Sequence, residues 1–246
     1  MTATVTPPPG VPALSRTDPI ERLNDYRESL RFYLSVPSRC IDRIVLADNS
    51  NSDIGELRRV VAETGADKDV ELISFNGLDY PPACGRAYGE FKLIDRVMDS
   101  SRILSRLAMS DVFWKVTGRL RVTNIVRLIA DAPRGYDLYV DLRRRRRWCE
   151  LRVWSASIRG YRGVLRDLYA TLDQRKIGIP ENCLYDHLIR IIGGRQCDLR
   201  VVSAFQTVPR IEGISGWNNR AYLTGRERWA YWGRVICRKV APWLDA

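Results

Sequence analysis

Histidine and lysine are nearly absent from this sequence. Of 246 residues one is histidine (His187), and of 40 basic side chains five are lysine and 35 arginine. Six cysteines (Cys40, Cys84, Cys149, Cys183, Cys197, Cys237) are scattered without a C-x-x-C pair. With one imidazole and no paired thiols, a structural zinc site is not expected. The cysteines read as small buried hydrophobes of a reducing compartment. No apolar run approaches the length of a membrane span, so no transmembrane helix is expected. The opening MTATVTPPPG has neither a charged n-region nor an apolar h-region, so no secretory signal is expected and a cytoplasmic location follows. Internal repeats and low-complexity linkers are also lacking.

What remains is an ordinary globular composition, 45% hydrophobic and 28% charged, with a formal net charge of +11 and a pI near 9.7. The length fits one large domain, taken here as residues 1–220, with a basic aromatic helix over 221–246 appended. A GC-rich genome produces an arginine-for-lysine skew, so part of the basicity reflects codon usage. The rest favours anionic partners: a nucleotide diphosphate, an acidic membrane surface or nucleic acid.

Strand and helix patterns alternate through the first two-thirds. A β-branched start, TATVT, is ended by Pro7-Pro8-Pro9. Asp18 before Pro19 reads as an N-cap, with a helix to Val36 that Pro37 stops. Strands are expected over Ile41–Ala47, Val70–Phe75, Val112–Val116, Tyr136–Leu142 and Glu150–Ser157. Helices are expected over 54–64, 90–107, 124–130, 161–173 and 181–192. This alternation predicts an α/β fold with a mostly parallel sheet flanked by helices.

Three segments carry candidate chemistry. Asp48-Asn49-Ser50 follows a strand, where α/β sheets place ligands, and its carboxylate could accept from the edge of a uracil or guanine; an Asx-turn capping the next helix is the plainer reading. The loop NGLDYPPACGRAYGEFK holds three glycines for close backbone approach and Arg86 and Lys92 for phosphate, with Gly89-Glu90 expected to open a helix. In Phe113–Arg119, Lys115, Thr117 and Arg119 alternate along an extended segment and should share one face, against Trp114, Val116 and Leu120 on the other. Such charge is costly to bury without an anion, and a diphosphate would satisfy it.

Taken together, TATVTP, DPIERLNDYRESLRFYL, IVLADNSNSD, ELISFNGLDYPPACGRAYGE and FWKVTGRLRVTNI resemble bacterial polysaccharide and lipopolysaccharide-core glycosyltransferases of the GT-A type. The likeness lies in a DNS loop, a G-x-x-YGE loop and a K-x-TGR strand in that order. It covers roughly residues 2 to 130 and less clearly onward to about 220. It implies a GT-A-like (Rossmann-like) fold and sugar transfer from a nucleotide sugar to a glycan or lipid-linked acceptor of cell-surface polysaccharide. It implies that Asp48 contacts the donor base, and it sets Arg86 where relatives usually have lysine. Lys115 to Arg119 occupies the region of the metal-binding Asp-x-Asp, which is missing. Lys115, Arg119 and Arg86 would then neutralise the leaving diphosphate in place of manganese or magnesium. Asp137 and Asp141 are the residual metal candidates.

An inverting transferase needs a base for the acceptor hydroxyl. Glu181 is the first candidate and Asp186 the second, at a helix opened by Pro180; Glu181 would equally serve the helix N-terminus electrostatically. His187 reads as structural. The run Arg143–Arg147 reads as a solvated hairpin or a contact for an anionic acceptor, lipid or nucleic acid. In the last segment Trp229, Trp232, Ile236 and Val240 recur at helical spacing among basic residues, which fits either a helix docked on the core or an interfacial anchor on the inner face of a membrane. A nucleic-acid-binding protein is the first rival reading, although no RNA- or DNA-binding signature accompanies the basic patches. A noncatalytic membrane-surface scaffold is the second.

Overall fold

The computed structural model describes residues 1–194 and 198–240; Cys197 and residues 241–246 lie outside the described residues, as do the side chains of Arg226 and Lys239. In chain order the elements are β1 (Thr2–Ala3), α1 (Pro19–Ser35), β2 (Arg43–Asp48), α2 (Gly55–Thr64), β3 (Asp69–Ser74), α3 (Arg86–Ser100), β4 (Val112–Val116), β5 (Arg121–Val122), α4 (Ile125–Ala130), β6 (Leu138–Tyr139), β7 (Leu142–Arg143), β8 (Trp148–Cys149), β9 (Val153–Ser157), α5 (Ile158–Gly160), α6 (Gln174–Ile177), α7 (Pro180–Gly193), β10 (Val201–Val202), β11 (Ile211–Glu212) and α8 (Gly225–Val240). Asp18 caps α1 by accepting from the Glu21 backbone at 2.9 Å, and Pro19 follows at the first turn.

The fold is mixed α/β. Strands β1, β2 and β3 form a parallel sheet in the order β1-β2-β3, with Asp48 opposite Ser74 at its far end. A second sheet has the order β10-β6-β9-β4, in which β9 runs antiparallel to both β4 and β6. A parallel bridge between Thr2 and Thr117 joins the two. The expectation of a mostly parallel sheet is therefore corrected in its second half. There β9 arrives by the β7–β8 hairpin rather than by a helical crossover, and a hairpin return must be antiparallel. Even so β1, β2, β3, β4, β6 and β10 all point one way, and their C-terminal ends share one edge.

One apolar cluster gathers α1, α2 and α4 through Tyr26, Leu30, Leu57 and Leu128; the other gathers α3 and α7 through Phe91, Ile94, Leu184 and Leu188. In β2, Ile44 and Leu46 face the first and Val45 and Ala47 the second, so the sheet is buried on both faces. The helix expected over 161–173 is instead a π-turn over Tyr161–Leu165 and a 3₁₀ turn over Leu168–Thr171. Asp167 between them sits at φ 59°, a left-handed conformation that no helix continues through. Helix α3 starts at Arg86, four residues before the expected Glu90, and ends at Ser100. Gly89 lies inside its first turns, at a position where the Tyr80 hydroxyl would be 1.8 Å from a Cβ.

Candidate functional site

The shared edge collects the C-terminal ends of β2, β4 and β6 and the N-terminal turns of α3 and α7. The Asp48 carboxylate is fully buried in its own loop. It accepts from the Val5 backbone at 2.8 Å, the Ser50 hydroxyl at 2.7 Å, and the Ser50 and Ser52 backbones at 3.1 Å each. The Asn49 side chain is buried and accepts from Thr4 Oγ1 at 2.7 Å, and Ser50 Oγ accepts from the Thr6 backbone at 3.0 Å. Asp48 thus pins the N-terminal strand to this loop, which agrees with an Asx-turn. An outward carboxylate aimed at a base is not what the fold presents.

Lys115 and Thr117 do share a face, but that face meets Glu90 of α3. Lys115 Nζ lies 2.8 Å from Glu90 Oε1, donates to the Leu151 carbonyl at 2.6 Å and lies 3.2 Å from Thr117 Oγ1. Thr117 and Thr2 hydroxyls donate to the same Glu90 oxygen at 3.2 and 2.5 Å. Burial would raise the Glu90 carboxyl, and Lys115 with these hydroxyls holds it below the usual range. A cation so enclosed is neutralised internally, so the expected three-member clamp loses Lys115 and Thr117.

Arg119 departs from that face because the strand breaks at Gly118, whose backbone passes so close to the Thr2 carbonyl that a Cβ would be 2.6 Å from it. Its guanidinium turns towards α1, 3.6 Å from Asp25, and donates to the Ile214 carbonyl at 3.1 Å. Arg86 is exposed at the first position of α3, and its side chain forms no hydrogen bond or ion pair among the described residues. The two arginines converge on Gly216, where a Cβ would stand 2.7 Å from Arg119 Nη2 and 3.5 Å from Arg86 Nη1. The Gly216 carbonyl in turn accepts from the Ser15 backbone at 2.8 Å, so the loop after the triple proline closes over this corner.

Two further arginines belong here that the sequence reading passed over. Arg16 pairs with Asp25 at 2.6 Å and Glu21 at 2.8 Å. Arg22 is 5% exposed and held only by neutral acceptors: the Thr4 carbonyl at 2.7 Å, the Arg16 carbonyl at 2.9 Å and the Tyr26 hydroxyl at 3.2 Å. Burial pulls its pKa down, and Arg119 adds to that. The signal was present, because Arg22, Tyr26, Ser29 and Tyr33 fall on one helical face.

Beside this corner lies a second group. Glu150 is buried under Arg152 and Arg143; burial alone would raise its carboxyl, and the two guanidiniums hold it at about 2. Arg152 lies 4.9 Å over the Tyr222 ring. Asp141, also buried, has Arg238 of α8 at 2.9 Å and Arg143 at 3.7 Å. Asp137, the other metal candidate, sits at the opposite end of β6 and is held by Ser157, by Arg159 at 2.6 Å and by the Arg200 backbone at 2.9 Å. These carboxylates face guanidiniums, and the donor set does not fit a divalent cation.

Glu181, in the first turn of α7, is half-buried and makes no side-chain ion pair among the described residues. Burial raises its carboxyl above the usual range, with Arg86, Glu150 and Arg152 as charged neighbours. Asp186 is not brought to this group: it pairs at 2.7 Å with Arg147 at the surface. His187 Nε2 is 2.9 Å from the Val164 carbonyl, in a structural contact. Of the arginine run, Arg143 points inward and Arg144–Arg147 are all exposed on the β7–β8 hairpin; the alternation of an extended run is not seen because Arg144–Arg146 form a 3₁₀ turn. No protein-family model matches the chain, and no curated protein matches it.

Proposed function

We propose that this chain is a GT-A-like glycosyltransferase that binds the diphosphate of a nucleotide sugar between Arg86 and Arg119 and transfers the sugar to a glycan or lipid-linked acceptor. The observation that carries the reading is the convergence of an unpaired exposed guanidinium and a buried one beside Gly216, at the sheet edge where α/β folds take ligands. Arginine forks suit phosphate oxygens, and charge developing on the leaving diphosphate would be stabilised by both. The loop Asp48–Ser50, ordered from within, forms the base-side wall. Glu181 is the acceptor base: burial raises its carboxyl above the usual range and it has no ion pair, which makes it a stronger proton acceptor than an ordinary carboxylate. Asp186 has no part in it.

A thermal-shift screen with UDP-, GDP-, CMP- and dTDP-sugars, each with and without chelator, tests this. A ligand at about 100 times its Kd stabilises by about 2.7 kcal/mol, a rise of roughly 5–10 °C for a chain of this size. Arg86→Ala should abolish the rise and leave the ligand-free Tm unchanged, because the side chain has no internal partner. If no nucleotide sugar raises the Tm of the wild-type chain, the proposal fails.

A further inference from the structure

Helix α8 turns its apolar side to solvent. Trp229, Trp232, Ile236 and Val240 are 78, 50, 59 and 72% exposed. At 3.6 residues per turn they fall within roughly 80° of arc, a single stripe. The opposite side carries Tyr231, Arg234 and Arg238, and it is the side that is fixed. Tyr231 is buried, Arg238 donates to the Phe205 carbonyl at 2.7 Å and lies 2.9 Å from buried Asp141, and burial lowers Arg234 to about 10. The helix cannot roll its tryptophans inward without leaving Asp141 buried without Arg238, so the exposed stripe is a built feature.

The elements packed against α8 are cationic. Arg143, at the root of the β7–β8 hairpin, and Arg238 of α8 share the Asp141 carboxylate at 3.7 and 2.9 Å, which sets the hairpin beside α8. At its tip Arg144, Arg145 and Arg146 are exposed and form no ion pair among the described residues, whereas Arg147 is paired with Asp186. Arg228 on α8 is exposed as well.

We propose that the outer face of α8 docks on an anionic phospholipid bilayer, with Trp229 and Trp232 at headgroup depth and Arg144–Arg146 against lipid phosphates. Tryptophan favours that interfacial layer, and an exposed apolar helical stripe together with the unpaired arginines of an adjoining hairpin is the combination that such a surface selects. A second copy of the chain fits less well. In a two-fold dimer the same patch meets itself, bringing the unpaired guanidiniums towards their own copies. The inference stands apart from sugar transfer, since vesicle binding needs no nucleotide.

Co-sedimentation of the full chain with vesicles of phosphatidylcholine alone, or mixed with phosphatidylglycerol, tests it. Binding is expected to the mixed vesicles and to weaken with salt. Trp229→Ser/Trp232→Ser should lower the partition constant at least about tenfold. Arg144→Ser/Arg145→Ser/Arg146→Ser should lower it on the order of 100-fold, at about fivefold per arginine. The altered side chains are exposed, so circular dichroism and Tm should match the wild type in both variants. The proposal is overturned by absence of binding to the mixed vesicles, or by binding that both variants retain. A concentration-dependent dimer that the tryptophan variant abolishes, without vesicle binding, overturns it in favour of self-association.

Discussion

Replacing Lys115 by methionine separates a cation that holds the fold from one that holds a ligand. In the structure Lys115 lies 2.8 Å from Glu90 and 2.6 Å from the Leu151 carbonyl, enclosed between β4 and α3. Methionine keeps most of the volume and removes the charge, leaving Glu90 without its cation. Breaking a buried pair from one side typically costs about 3–5 kcal/mol. Glu90 keeps the Thr2 and Thr117 hydroxyls and some contact with water, which argues for the lower end, about 3 kcal/mol. At 2–4 °C per kcal/mol that is a fall in Tm of roughly 6–12 °C. Adding Glu90→Gln removes the orphaned charge and should recover a good part of the loss. About 1–2 kcal/mol stays missing for the Leu151 carbonyl left unpaired. The deficit also has a pH signature. Lys115 holds the Glu90 carboxyl below its ordinary value, a contribution present above the ordinary carboxylate range and lost as pH falls through it, so wild type and variant should converge in acid. Urea unfolding of the three proteins at several pH values, with nucleotide titration of the folded variants, measures all of this. If Lys115→Met were within about 0.5 kcal/mol of wild type yet lost nucleotide binding, Lys115 would face a ligand and the internal pairing would be refuted.

Two other perturbations probe the neighbouring groups. Glu150, held at about 2 by Arg152 and Arg143, contributes stability that is complete above pH 4.5 and fades between pH 4.5 and about 2; Glu150→Gln should remove that acid limb from a plot of urea midpoint against pH and cost about 3–5 kcal/mol at neutral pH. Glu181→Gln should lower kcat by about 10²–10⁴ while donor affinity holds, and the wild-type rate should fall in acid as pH drops through the raised Glu181 pKa; unchanged turnover in Glu181→Gln would remove it from the reaction.

Local elements were legible wherever chain-neighbour rules decide them. Asp18-Pro19 gave the start of α1, and the patterns at 41–47, 70–75 and 112–116 gave β2, β3 and β4 to within two residues. Failures arose where a distant contact overrides the local signal. Gly89 reads as a helix opener, yet it lies within α3, where the glycine answers to the Tyr80 side chain packed against it. Alternation correctly put Lys115 and Thr117 on one face but could not say that α3 brings Glu90 against it, from 25 residues earlier in the chain. Arg119 left that face only because the strand breaks at Gly118. For α8 the period was visible and the direction was not: spacing fixes which residues share a side, and only Asp141 and the Phe205 carbonyl determine that the arginine side is the inner one.

The charges along the sheet edge argue for what the site can take. Glu90 is matched by Lys115, Asp25 by Arg16 and Arg119, Glu150 by Arg152 and Arg143, and Asp141 by Arg238. Asp48 is closed on its own loop. Once these are paired, Arg22 and Arg86 remain with no carboxylate partner within ion-pair distance among the described residues, and Arg22 is buried. An unpaired buried guanidinium costs several kcal/mol unless something polar compensates it, and here three neutral oxygens do so only in part. A dianionic ligand settling between Arg86 and Arg119, with Arg22 behind, would recover that cost on binding. A divalent cation in the same place would add to it. On the proposed function, the edge would act as a receptor for an anion. In that proposal the basic run Lys115–Arg119 divides its work: its last residue would bind the anion with two arginines from α1 and α3, while its first residue holds the strand to the helix beneath.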